Sequence, residues 1–129
     1  MRSVLFLVAA VFLAPRLADA CSCVAQTPAQ LYERAAVVFV GDLVELTETP
    51  RRKTARMRVV RAYKGDVKSD EVVTVTLPGG TSASCSLDLT AKARVVVFAT
   101  AANGRLSTNL CSGTYQREPG KPLPNLPPV

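Results

Sequence analysis

The sequence predicts an all-β domain with one or two short helices, closed as a five-stranded barrel and crosslinked by two disulfides. Three observations predict it. Several short β-branched or alternating segments are separated by turn residues, the 129 residues hold four cysteines and no histidine, and the chain opens on an apolar run that reads as an export signal.

The export signal comes first. Arg2 gives a basic start, Val4 to Ala14 are apolar but too short a run to span a bilayer, and Ala18-Asp19-Ala20 has the small-x-small pattern of a cleavage site. Residues 1–20 are therefore expected to be removed, making Cys21 the first mature residue. A lipoprotein is the competing reading, because an acylated cysteine also follows a signal directly. Such sites carry Leu three residues earlier, where this chain has Ala18. Membrane attachment is thus expected only if Cys21 is lipidated. What remains, from 21 to 129, is enough for one domain and too little for two.

In an oxidising compartment an even cysteine count reads as a disulfide framework rather than a metal site. With no histidine and the thiols tied up, the chain lacks the usual zinc ligands, the usual neutral-pH general base and the Ser/His/Asp or Cys/His nucleophile pairs. No enzyme and no cofactor of its own are expected.

Thr27-Pro28-Ala29-Gln30 suits a helix start, with a capping residue, proline at the first helical position and a capping-box partner, so a short helix is expected near 28–35. Val37 to Leu46 is β-branched and apolar, with Gly41 as a bulge or a point of close backbone approach. Thr49 to Lys53 has turn chemistry and charge. After it, Ala55, Met57 and Val59 alternate with Arg56, Arg58 and Val60 as in a half-buried strand. Lys64-Gly65-Asp66 leads to a third strand over Val72 to Leu77, ended by Pro78-Gly79-Gly80. A polar connector, Thr81 to Ser86, precedes a fourth strand over Arg94 to Ala99. Asn103-Gly104 is a hairpin turn into a fifth, Leu106 to Leu110. The barrel domain is expected over 21–114. The proline-rich segment over 115–129 is expected to be extended or disordered. Five short strands and a small helix fit a closed barrel, of which the oligomer-binding (OB) type is the commonest at this size.

Cys21-Ser22-Cys23 is the most informative motif. Its two cysteines sit too close in sequence to pair comfortably with each other, so each is expected to reach a distant partner, Cys85 or Cys111. A chain end tied twice is preorganised and its α-amino group is fixed in space. With a pKa near 8, that amine is readily neutral at physiological pH, and with the Cys21 carbonyl oxygen it forms a chelate able to bind a partner's zinc ion.

Cys21-Ser22-Cys23-Val24, Val38-Phe39-Val40-Gly41, Ala62-Tyr63-Lys64-Gly65, Ser84-Cys85 and Thr108-Asn109-Leu110-Cys111 resemble, in order and spacing, the amino-terminal domain of the tissue inhibitors of metalloproteinases. The resemblance spans nearly all of residues 21–114. It implies an OB barrel with disulfides Cys21–Cys85 and Cys23–Cys111, and a secreted monomeric inhibitor of zinc metalloproteinases. It also implies an inhibitory ridge of Cys21, Ser22, Cys23 and Val24 flanked by Ser82, Ala83 and Ser84. In that ridge the Cys21 amine and carbonyl displace the zinc-bound water, and Ser22 enters the primed-side specificity pocket. The chain departs from the family in lacking its third amino-domain disulfide and its cysteine-rich carboxy-terminal domain, and in having Ala25 where the animal inhibitors have proline.

Two blander readings stand beside this one. The cysteines can be purely structural, in a non-inhibitory adhesive or envelope domain. The basic set Arg51, Arg52, Lys53, Arg56, Arg58, Arg61 and Lys64 can face a polyanion. Nucleic acid is disfavoured as that polyanion, since only Tyr63 is nearby to stack a base.

Overall fold

The computed structural model describes residues 21–118 and 121–126; the expected export signal lies outside them. Its elements are helix α1 (Pro28–Arg34) and strands β1 (Val37–Glu48), β2 (Arg52–Lys64), β3 (Val72–Pro78), β4 (Arg94–Ala102), β5 (Arg105–Ser107) and β6 (Tyr115–Arg117), with 3-10 turns at Ser82–Ser84 and Leu110–Ser112.

β1 and β2 form a long antiparallel hairpin, β3 adds antiparallel to β2, and β5 pairs parallel to β3 and antiparallel to β4. The β1–β4 pairing closes the ring, so β1-β2-β3-β5-β4 is a five-stranded barrel of OB type. Asp42 and Arg94 lie opposite one another on that seam, and the carboxylate accepts two hydrogen bonds from the guanidinium at 2.8 and 3.0 Å. The bond to Asp42 holds Arg94 still further into its charged form.

Two clusters make the core. Phe39, Leu43, Ala55, Met57, Val59, Val75, Leu77, Val95 and Val97 fill the barrel. Val38, Val40, Val96 and Phe98 point the other way, under Tyr32 and Ala35 of the helical segment and Tyr63. The first parts of β1 (37–41) and β4 (95–99) are thus buried on both faces, which is why they read as unbroken apolar runs, whereas β2 alternates over 52–59 because only one of its faces is covered there.

Gly41 is both things its position suggested. The β1–β2 register shifts between Val40 and Gly41, and a Cβ there would sit 2.9 Å from Phe39 Cε2 and 3.1 Å from Met57 Cβ. Asn103 and Gly104 both have positive φ, 53° and 73°, as the tight hairpin turn requires.

Three expectations change. The fifth strand is shorter and earlier than expected, because Leu110 begins a 3-10 turn capped by Asn109 instead of extending the ladder. The carboxy-terminal segment also contributes an element: β6 pairs with β4 (Val96↔Tyr115, Arg94↔Arg117). Beyond it, Leu123 and Leu126 pack on the outer core cluster while Tyr63 Oη donates to Pro124 O at 2.8 Å. Proline-rich backbone can do this because leucines at suitable spacing bury apolar area without a hydrogen-bond ladder.

The third change concerns the basic set, which does not form one face. Lys53 is 4% exposed and its Nζ donates to Leu87 O at 3.0 Å, with Asp88 at 3.6 Å. Arg56 pairs with Glu45 at 2.9 Å and Arg58 donates to Asp70 O. Arg61 lies 5.0 Å over the Tyr63 ring, and Lys64 donates to Tyr32 O and Glu33 O. Odd and even strand positions point to opposite faces, and neighbouring acids and carbonyls take most of the outward cations.

Candidate functional site

At one end of the barrel two connectors converge. Thr81 Oγ1 accepts from Ala83 N to start the Ser82–Ser84 turn, and Cys85 ends it in the left-handed region at φ 63°. Ser84 Oγ donates to Gly79 O and to Thr81 O, and buried Ser86 donates to Pro78 O. This fastens the connector to the end of β3.

The second connector runs from β5 to β6. Buried Thr108 donates to Phe98 O at 2.8 Å, Thr114 accepts from Phe98 N at 2.9 Å, and the two hydroxyls meet at 2.6 Å. Asn109 Oδ1 accepts from Cys111 N at 2.8 Å. Leu110 N donates to Cys85 O at 2.8 Å, which joins the connectors, so Cys85 and Cys111 are held side by side by the barrel's own hydrogen bonds.

Residues 21–26 are bonded to this platform. Cys21 is joined to Cys85 (Cα–Cα 5.0 Å) and Cys23 to Cys111 (Cα–Cα 5.2 Å). The two bridges abut, with Cys21 Sγ 3.6 Å from Cys111 Sγ. All four sulfurs are oxidised, so although three of them lie within 4.8 Å of one another they offer no thiolate to a metal. Among the described residues no backbone hydrogen bond ties 21–26 to the barrel. The two disulfides are its direct bonds to the barrel.

The arm carries no ionisable side chain, since Cys21-Ser22-Cys23-Val24-Ala25-Gln26 is neutral once the cysteines are oxidised. Ser22, Cys23, Val24 and Ala25 are exposed, Val24 at 80%. Ser82, Ala83 and Ser84 are exposed as well, and the Cys21–Cys85 bond fixes the start of the arm next to them. The far end of the arm runs into α1, where Thr27 Oγ1 accepts from Gln30 N at 3.2 Å and Gln30 Oε1 accepts from Thr27 N at 2.9 Å. Behind the arm lies an open cleft of about 460 Å³, walled by Leu31, Phe98 and Cys111 and rimmed by Arg34.

Sequence reasoning singled out Thr108 and Asn109 only as part of the Thr108-Asn109-Leu110-Cys111 motif; it missed Thr114 and the hydrogen bonds by which all three support this end of the molecule. Their role leaves no stronger mark in the chain than a cluster of short polar residues around Cys111, a pattern common to many loops. No protein-family model and no curated protein matches the chain.

Proposed function

We propose that the mature chain is a binding protein, not an enzyme, that blocks zinc metalloproteinases by presenting the Cys21 end of its arm to the catalytic zinc. The supporting observation is the arm itself, a segment without side-chain charge, exposed from Ser22 to Ala25, that two disulfides fasten beside the Ser82–Ser84 turn. Cleavage after Ala20 leaves an α-amino group on Cys21. That amine, neutral in part near pH 7, and the Cys21 carbonyl oxygen together replace the zinc-bound water, while Ser22 fills the adjoining pocket. Cys23 and Val24, with Ser82, Ala83 and Ser84, cover the rest of the cleft. A neutral arm suits this role because no side-chain charge has to be stripped of water on entry. The zinc belongs to the partner, and the inhibitor acts as a monomer without a cofactor.

The disulfides fit export to an oxidising compartment, and the mechanism further needs release with an unacylated amine. Intact mass of the mature protein tests this first: a diacylglycerol adduct on Cys21 would remove the zinc ligand. The functional test compares the authentic protein with a form carrying one extra Ala before Cys21, both titrated against zinc proteases of several families after their melting temperatures are shown to be equal. The extended form should bind weaker by two to three decades, roughly 3–4 kcal/mol. Ser22→Leu should change which proteases are bound without abolishing binding. If the two forms inhibit alike, or neither inhibits at micromolar concentration, the non-inhibitory adhesive reading is the better one.

A further inference from the structure

A second surface, sharing no residue with the arm, is formed where β3 meets β5. The parallel pairs Val75↔Leu106 and Thr76↔Ser107 bring β5 alongside β3. On β2, Lys53 and Ala55 point inward, so Arg52 and Thr54 point outward; on β3, Val73, Val75 and Leu77 point inward, so Thr74 and Thr76 point outward. Thr54 and Thr76 are direct cross-strand partners. These side chains, with Gly104 and Arg105 from the hairpin, line a cleft of about 270 Å³.

All of its polar side chains can donate, and among the described residues none is engaged. Thr27, Thr49, Thr81, Thr90, Thr100, Thr108 and Thr114 use their hydroxyls within the fold. Among the described residues, the hydroxyls of Thr54, Thr74 and Thr76 have no partner, and the guanidinium groups of Arg52 and Arg105 have neither a hydrogen bond nor an acidic partner. Arg56, one step along the same face of β2, is by contrast neutralised by Glu45. Among the described residues, no carboxylate lines the cleft. Two forked cations and three hydroxyls converging on one small space offer more donors than a carboxylate can accept, and suit a group with three terminal oxygens. None of the described aromatic side chains lines it, so a base has none of them to stack on, whereas sugar hydroxyls can share the threonine row.

We propose that this cleft binds a sulfate- or phosphate-ester group on a sugar ring, and so anchors the protein to an anionic polysaccharide. The cleft takes one substituted ring, and affinity for a longer chain comes from repeated contacts along it. Because the cations are exposed, binding weakens as salt rises.

The test follows backbone amide chemical shifts of the mature protein during titration with a heparin-derived tetrasaccharide, its desulfated form, a phosphorylated mannose oligosaccharide, inorganic sulfate and a short single-stranded DNA. Shifts should centre on Arg52, Thr54, Thr74, Thr76, Gly104 and Arg105 with one of the charged oligosaccharides, and be absent with the desulfated one; the tighter of the two identifies the ester. The Arg52→Gln/Arg105→Gln protein should bind it at least about tenfold more weakly. A Lys68→Gln/Lys92→Gln protein, which loses the same charge elsewhere, should change by less than about twofold. Equal weakening by both double variants would mean net charge alone is read. Equal affinity for DNA or inorganic sulfate would overturn the saccharide assignment, and no localised shifts with any probe would overturn the site. Protease inhibition should be the same in both variants, so failure here is distinguishable from failure of the inhibitory arm.

Discussion

Thr27 closes the first turn of α1 by a reciprocal exchange with Gln30, and a helix of only 7 residues has little else to hold its start. Thr27→Ala should cost about 1 kcal/mol in chemical denaturation, and Gln30→Ala less, since only the second bond of the capping box is then lost. Tyr32 on the same helix gives a pH-dependent test. Burial pushes its hydroxyl above the ordinary value of 10.0, and Oη donates to Tyr63 O at 3.1 Å. The folded protein therefore holds this proton more tightly than the unfolded chain does. Its contribution is complete below the unfolded pKa of about 10 and is lost as pH rises through the folded value. Tyr32→Phe should lower stability by about 1 kcal/mol at neutral pH and flatten the alkaline decline. Equilibrium unfolding of the two proteins across that range checks the sign; a variant that declines as steeply as the parent would remove Tyr32 from the account.

At the scale of the element, β1 depends on a missing side chain. Gly41→Ala puts a Cβ against Phe39 and Met57 in a strand buried on both faces, and overpacking of that kind should cost about 1–3 kcal/mol in thermal melts. Gly41 was legible because a glycine inside a β-branched run demands a reason. The β2 alternation, the helix start and the Asn103-Gly104 turn were legible for the same cause: each is set by residues within a few positions of one another. The parallel join of β3 to β5 was not, since it depends on contacts distant in sequence and leaves no periodic mark. β6 was hidden because a three-residue strand beside proline-rich chain has almost no local signature. Lys53 was misread because a cation at a strand start looks solvated, and only the fold supplies the Leu87 carbonyl that satisfies it. The arm was visible as Cys21-Ser22-Cys23; the hydrogen bonds that bring its two anchor points together were not.

For the molecule as a whole, the bridges enclose most of the chain, with sequence separations of 64 and 88 residues. Replacing the pair Cys23 and Cys111 by serine should cost about 2–5 kcal/mol, read from guanidinium unfolding. Because one tether remains at Cys21–Cys85, the barrel should persist while the arm becomes sensitive to limited proteolysis around Val24. Unchanged cleavage there would mean that contacts other than the disulfide hold the arm.

The same separations fix a chronology. Cys21 and Cys23 are made first, and Cys111, the last cysteine in the chain, is made only after every strand of the barrel. While the chain is being made, the arm has only Cys85, or its own neighbour, to react with, and an early bridge from Cys23 would occupy a sulfur that the finished molecule needs elsewhere. The arm is thus made before the barrel and fastened last. Assembly is direct if Cys21 captures Cys85 first and leaves Cys23 for Cys111; if Cys23 captures Cys85 instead, thiol–disulfide exchange must free it before the native pairs can form.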